Sequence, residues 1–179
     1  MHVRNAITIR PLASGDAPAL HAAVQASIAS LSHWFPWAHA GYALSDAEAR
    51  IAHCTAARAR GEEFAFGIFA ADGELLGCVG LNQVNRAHHS ANLGYWIGEA
   101  HRGRGMAADA ARQVATTGFG ELGLVRIEIV TLPDNAASQR VAQKLGATRE
   151  GEFRNRLVVR GEPADAVVFS LVPGDLERA

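Results

Sequence analysis

The sequence predicts an α+β fold, a mixed sheet of about seven strands with about four helices packed on it, and three observations carry the prediction. Apolar positions switch repeatedly between alternation and helical spacing along 179 residues. Glycine, proline, aspartate and asparagine punctuate the switches. A composition of 49% hydrophobic and 20% charged residues supplies a core without any long biased run. At this length folding removes roughly 70% of the unfolded chain's surface from water, so a single domain over residues 1–179 is expected.

Ile7–Arg10 is a short β-prone run closed by Pro11. Leu20, Val24, Ile28 and Leu31 then fall on one face of a helix, with Ser14 as its N-cap. The segment Leu31-Ser32-His33-Trp34-Phe35-Pro36-Trp37 is rich in aromatics and broken by proline. It suits either a buried loop or the mouth of a ligand pocket. Ser45-Asp46-Ala47-Glu48 fits a capping box for a second helix that turns Ile51 and Cys54 inward, and Gly61 fits its stop.

Glu63–Ala70 and Glu74–Asn82 read as strands joined at Asp72-Gly73, a hairpin signal. After a polar loop over Asn85–Ser90 comes a long strand, Ala91–Gly98. From Met106 the period is helical, with Ala107, Ala110, Ala111, Val114 and Ala115 on one side and Gly118 and Gly120 loosening the end. Leu124–Thr131 is a β-branched strand ended by Pro133. Asp134 or Asn135 can cap a helix through Leu145, with Gly146 as its stop. Phe153–Val159 and Ala166–Leu171 complete the set around a Gly161-Glu162-Pro163 turn.

Bulk properties exclude several function classes. A formal net charge of −1 gives no general attraction for nucleic acid or an anionic membrane. No stretch approaches the ~20 apolar residues of a membrane span. Cys54 and Cys78 are too few for a disulfide framework or a zinc site and read as two buried thiols in a reducing compartment. The eight histidines show no metal-ligand spacing, so no metal is expected. Met1-His2-Val3-Arg4-Asn5 leads into a strand without a signal-peptide core, which predicts a cytoplasmic protein.

The most informative segment is Arg102-Gly103-Arg104-Gly105-Met106-Ala107, between a strand and a helix start. Two glycines let the backbone turn tightly and approach a ligand. The first amides of the following helix lack internal partners and sit at the positive end of its dipole. Together they suit a phosphate, and Arg102 and Arg104 add charge there. A solvated glycine-rich turn is the plain alternative. A dinucleotide site is the specific rival, since Gly103-x-Gly105-x-x-Ala108 matches G-x-G-x-x-A. Against it, the loop lies mid-chain, is separated from its strand by Glu99-Ala100-His101, and no parallel β-α-β series follows.

The same loop resembles the R/Q-x-x-G-x-G/A segment of the GNAT acetyltransferase superfamily. Leu93-Gly94-Tyr95-Trp96-Ile97-Gly98 is similar to the fourth strand of that superfamily's RimJ/RimL-type branch, which includes N-acetyltransferases of ribosomal-protein N-termini. Asn135-Ala136-Ala137-Ser138 followed by Lys144-Leu145-Gly146-Ala147 resembles its N-x-x-S…K-x-G-F segment, with Ala147 replacing the usual Phe. Arg126-Ile127-Glu128 and the Leu31-x-x-Trp34-x-x-Trp37 loop match further features, so the likeness spans about Ile7 to Leu171.

The resemblance implies a GNAT-like sheet, mostly antiparallel and splayed after its fourth strand, with acetyl-coenzyme A as the acetyl donor. The pyrophosphate would meet the amides of Arg102, Gly103, Arg104, Gly105, Met106 and Ala107. Trp96, Ile97 and Gly98 would flank the pantetheine arm, with a backbone N–H near Ile97 for the thioester oxygen. Asn135 would reach the pantetheine, and Ser138 would return a proton to the sulfur. Asn135 also serves as a plain helix cap, and Ser138 as an ordinary first-turn residue. Trp34 and Trp37 are candidates for the acceptor site. The acceptor would be an amine, most simply a protein N-terminus, with a small amine or a silent coenzyme A-binding role as alternatives; a homodimer is an open option.

Many relatives place a glutamate early in the fourth strand, where this chain has Asn92, which cannot take a proton. Glu128 is therefore the candidate general base. A mid-strand carboxylate is equally open to simple pairing with Arg126. Glu99, His88 and His89 are loop candidates for the same role.

Overall fold

The computed structural model describes residues 7–177, so the reading of Met1–Asn5 lies outside the described residues. The elements run β1 (Thr8–Arg10), α1 (Ala17–Ala26), α2 (Ile28–Trp34), α3 (Leu44–Arg60), β2 (Phe64–Phe69), β3 (Leu75–Asn85) and β4 (Ser90–Ile97). They continue with α4 (Met106–Gly120), β5 (Arg126–Thr131), α5 (Ala136–Lys144), β6 (Thr148–Val159) and β7 (Glu162–Leu171). The sheet has seven strands in the order β1-β2-β3-β4-β5-β7-β6. By contact density the chain divides into two compact units: one reaches Gly80 and adds Tyr95–Ala110, the other comprises Leu81–Gly94 and the chain from Ala111.

In the first unit, β2 pairs antiparallel with β1, Ile9 opposite Ile68. Leu20, Val24, Leu31, Ile51, Phe69 and Leu75 form its core, with Trp96 and Cys78 packed against them. Among the described residues five α-helices stand where four were expected, because the first is broken at Ser27 (φ −120°, ψ 10°). There the side chain is committed elsewhere: Ser27 Oγ accepts the Glu99 N–H at 2.9 Å.

Two expected caps are corrected. Ser14 begins a 3-10 turn instead of capping a helix, and Ser45 lies inside α3. In both places an aspartate three residues on reaches back to a backbone N–H: Asp16 to Ala13 and Asp46 to Ala43, each at 2.7 Å. The short carboxylates are already charged acceptors at the positive helix end, where they outcompete a hydroxyl. Gly61 does end α3 in the left-handed region, at φ 67°.

In the second unit, β4 runs parallel to β5 and β7 lies antiparallel between β5 and β6. The β4–β5 register covers Ser90–Asn92 against Arg126–Glu128, whereas β4 continues to Ile97 and β5 to Thr131. The sheet splays there. Ala91, Leu93, Ile127 and Ile129 are buried in alternation, which leaves Asn92 and Glu128 together on the opposite face. Gly118 does not loosen the end of α4. It lies within the helix, and a Cβ there would stand 3.0 Å from both Ile127 Cδ1 and Leu81 Cδ1, so the missing side chain lets α4 seat on the apolar face.

β6 is five residues longer at its start than expected and has register shifts between Arg149 and Gly151 and between Phe153 and Leu157. Its residues are mostly exposed, which erases the alternation a half-buried strand would show. The β6–β7 turn sits at Arg160 (φ 51°) and Gly161 (φ 86°), and Pro163 belongs to β7, opposite Val158. Two successive left-handed residues match the twist of the flanking strands.

Candidate active site

The glycine loop is built on the end of β4. Gly98 N–H donates to Leu76 O at 2.8 Å, and a 3-10 turn over Glu99–His101 follows. The Arg102 guanidinium spans to Ile97 O (3.4 Å) and Ser30 Oγ (3.1 Å), while Arg104 reaches Ala100 O at 3.2 Å. Each guanidinium has five N–H donors, so anchoring the loop leaves donors for a ligand. Gly103 and Gly105 have φ of 78° and 83°, and a Cβ at either would meet nothing within 4 Å. The left-handed backbone, not crowding, therefore calls for glycine, and the space over both is open. Gly105 O accepts the N–H groups of Ala108 and Asp109, which makes Gly105 the entry residue of α4. Met106 and Ala107 supply first-turn amides at the positive end of the helix dipole. Such an arrangement suits an anionic oxygen cluster.

In the same unit Trp37 joins Trp96 at 6.3 Å between ring centroids, with Phe35 and Tyr42 on its other sides. Trp37 is 42% exposed, so the aromatic segment presents a ring at the end of β4 instead of hiding it. Trp34 is half-buried and packs edge-on to His33 at 4.3 Å. Burial pushes the Cys78 thiol up to about 12 and raises that of Cys54. Both stay protonated near neutral pH and are poor nucleophiles.

In the second unit Asn135 Oδ1 accepts the Ser138 N–H at 3.1 Å, capping α5 and placing the two candidates side by side. Asn135, rather than Asp134, is the cap. Glu128 sits in a charged cluster. Its Oε1 accepts Arg126 Nε (3.1 Å) and Nη2 (2.9 Å), and Oε2 faces Arg156 at 3.5 Å. Arg126 also grips Glu150, at 2.7 Å and 2.5 Å, and Ser170 Oγ donates to Glu150 at 2.7 Å. The Arg126 guanidinium is held more firmly protonated, chiefly by its bond to Glu150. Among the described residues no three His, Cys, Asp or Glu are grouped to hold a metal ion.

This cluster sets an acid limit on stability. The Arg126 hydrogen bond, then that from Ser170, hold Glu150 down at about 2 from an ordinary 4.5. A depressed folded value means the unfolded chain takes the proton first, so the stabilisation is complete above about 4.5 and is lost as the pH falls toward 2. For a pair so open to solvent the effect is about 1 kcal/mol. Urea unfolding of Glu150→Gln should therefore differ from wild type above pH 4.5 and converge with it by about pH 2. A constant gap across that range would contradict the assignment.

A family model described as the acetyltransferase (GNAT) domain matches residues 6–148. The chain belongs to this family. "Probable N-acetyltransferase YjcK" of Bacillus subtilis is 40% identical over 119 residues, 65% of this chain and 66% of that protein. The ribosomal-protein-serine acetyltransferase of Escherichia coli is 34% identical over 93 residues, 51% of each. The matched stretch thus spans less than two thirds of these relatives. Mycobacterium smegmatis RimJ, solved in complex with CoA-disulfide, superposes with a TM-score of 0.82 at 26% identity, covering 95% of this chain and 83% of that one.

Within the GNAT frame, several residues around the candidates carry no motif signal. Ser27 and Ser30 hold the loop from 72 positions away. A buried serine within an apolar helical run was the available hint for Ser27. Glu150, Arg156 and Ser170, which surround Glu128 and Arg126, come from strands whose pairing no local pattern specifies.

Proposed function

We propose that this chain is an acetyl-CoA-dependent N-acetyltransferase that acetylates a protein N-terminal α-amine by direct attack in a ternary complex. The glycine loop carries the reading: two left-handed glycines with open space above them at the start of α4, in a chain of the GNAT family. Arg102–Ala107 would hold the pyrophosphate, and Trp96, Ile97 and Gly98 would flank the pantetheine. Asn135 would meet the same arm. Protonated cysteines favour attack by the amine itself over a thiol intermediate.

An α-amine has a pKa near ~8, so a modest base suffices to free its lone pair. That lone pair attacks the thioester carbonyl carbon, and the N–H near Ile97 stabilises the oxyanion. As the C–S bond breaks, Ser138 would give its proton to the departing sulfur. Glu128 is the proposed sink for the amine's proton.

A peptide acceptor is supported by a wide basin of about 860 Å³ lined by Phe153, Arg154, Asn155, Arg156 and Asp165. Arg156 of this basin faces Glu128. Its breadth suits a chain end better than a small molecule, which pockets tend to enclose. The name of the E. coli relative points the same way. Mass spectrometry of acetyl transfer to N-terminal peptides and to a polyamine tests the reading. Peptide acetylation at the α-amine, at least tenfold more efficient than polyamine acetylation, is the expected result. Preference for the polyamine would overturn the acceptor, and failure to bind acetyl-CoA would overturn the whole.

A further inference from the structure

Asn92 presents an anomaly. Its Nδ2 donates to Asn82 Oδ1 at 3.0 Å, but its own Oδ1 is buried and, among the described residues, has no hydrogen-bond partner. Asn82 does not return the bond: its Nδ2 lies over Gly94 instead, 3.4 Å from where a Cβ on that glycine would stand. Buried carbonyl oxygens are nearly always satisfied, by protein or by ordered water. In the β4–β5 register Asn92 stands opposite Glu128, and partners across adjacent strands share a face. Facing Glu128 are Arg126 on its own strand and Arg156 from β6, with Glu150 and Ser170 joined through Arg126. A carboxylate offers about four lone-pair sites, so the two guanidinium groups leave room for another donor.

We infer that Asn92 Oδ1 and Glu128 jointly hold a water molecule that carries the acceptor's proton away, which makes Asn92 a positioning residue. This rests on the reaction proposed above. A water donating one hydrogen to each of these acceptors turns its lone pairs outward. It accepts a proton from the substrate ammonium while passing one of its own to Glu128. The balance is R–NH₃⁺ plus carboxylate giving R–NH₂ plus carboxylic acid, with the water regenerated. The amide oxygen never changes protonation. It fixes the water by a hydrogen bond, which explains how an asparagine serves at this point of β4 where it could not itself act as base.

The test is a double-mutant cycle on transfer to an N-terminal peptide. Asn92→Leu should lower kcat by roughly 30-fold with KM for acetyl-CoA unchanged, and Glu128→Gln by about 100-fold. The double variant should fall within about threefold of Glu128→Gln, because both remove one relay. Asn92→Asp retains an acceptor oxygen and should recover most of the rate. Losses that multiply in the double variant, or an unaltered kcat in Asn92→Leu, would overturn the inference. Crystals that resolve solvent supply a readout free of turnover: an oxygen within about 3 Å of both Asn92 Oδ1 and Glu128 is expected. A well-ordered site without one overturns the water whatever the kinetics. A wild-type chain that acetylates no amine would instead remove the transferase reading, leaving the crystal result to decide the water.

Discussion

Gly105→Trp should raise the Kd for acetyl-CoA at least 100-fold, a loss of about 2.7 kcal/mol, while the protein remains folded. Gly105 has φ 83° and no protein atom within 4 Å of where its Cβ would stand. The side chain therefore starts into open space, and its indole would occupy the space through which a diphosphate would approach the α4 amides. The backbone itself resists the change by about 1–2 kcal/mol, the left-handed penalty for a residue with a Cβ. Gly105→Ala carries that penalty without the bulk, so comparing the two separates backbone strain from blockage. Calorimetric titration gives the affinities, and circular dichroism confirms the fold. Tight binding by the tryptophan variant would show that the diphosphate is held elsewhere.

Gly77→Ala should be the most destabilising small substitution in the first unit. A Cβ at Gly77 would stand 2.1 Å from Trp96 O and 2.9 Å from Ile97 Cα, both backbone atoms of the neighbouring strand. Real contacts of that kind are about 1 Å longer, so β3 and β4 must separate, and the cost is about 3 kcal/mol. For a chain of this size that lowers Tm by roughly 6–12 °C. The strain falls on Trp96–Gly98, so acetyl-CoA affinity should fall in the same variant, even well below its melting temperature. A Tm within 2 °C of wild type, by the same scale, would mean the two strands approach less closely than described.

The backbone geometry of the candidate site was legible in the sequence because glycines and helix caps act locally. A glycine states directly that a left-handed turn is allowed, and Gly103 and Gly105 adopt it. Asn135 likewise announces a helix start, since its side chain satisfies a local N–H. Tertiary commitments are what sequence patterns do not carry. Ser27 breaks a helix that periodicity would continue, because its hydroxyl is needed by Glu99. The true caps at Asp16 and Asp46 were hidden by nearby serines that match the usual pattern. Exposed β6 lost its alternation, so Glu150 and its bond to Arg126 could not be anticipated. The unpaired Asn92 oxygen depends on which way Asn82 turns, which no spacing encodes.

The bonds from Glu99 to Ser27 and from Arg102 to Ser30 each link positions 72 residues apart. Closing so long a loop costs chain entropy that only the docking of many intervening groups can offset. The cradle's shape thus depends on the assembled unit. A synthetic peptide carrying only the loop and the first turns of α4 would contain every glycine and arginine of the motif, yet lack the distant hydroxyls that set its curvature. Anion binding by this loop would be inherited from the assembled unit, and it should melt with that unit instead of surviving as a local turn.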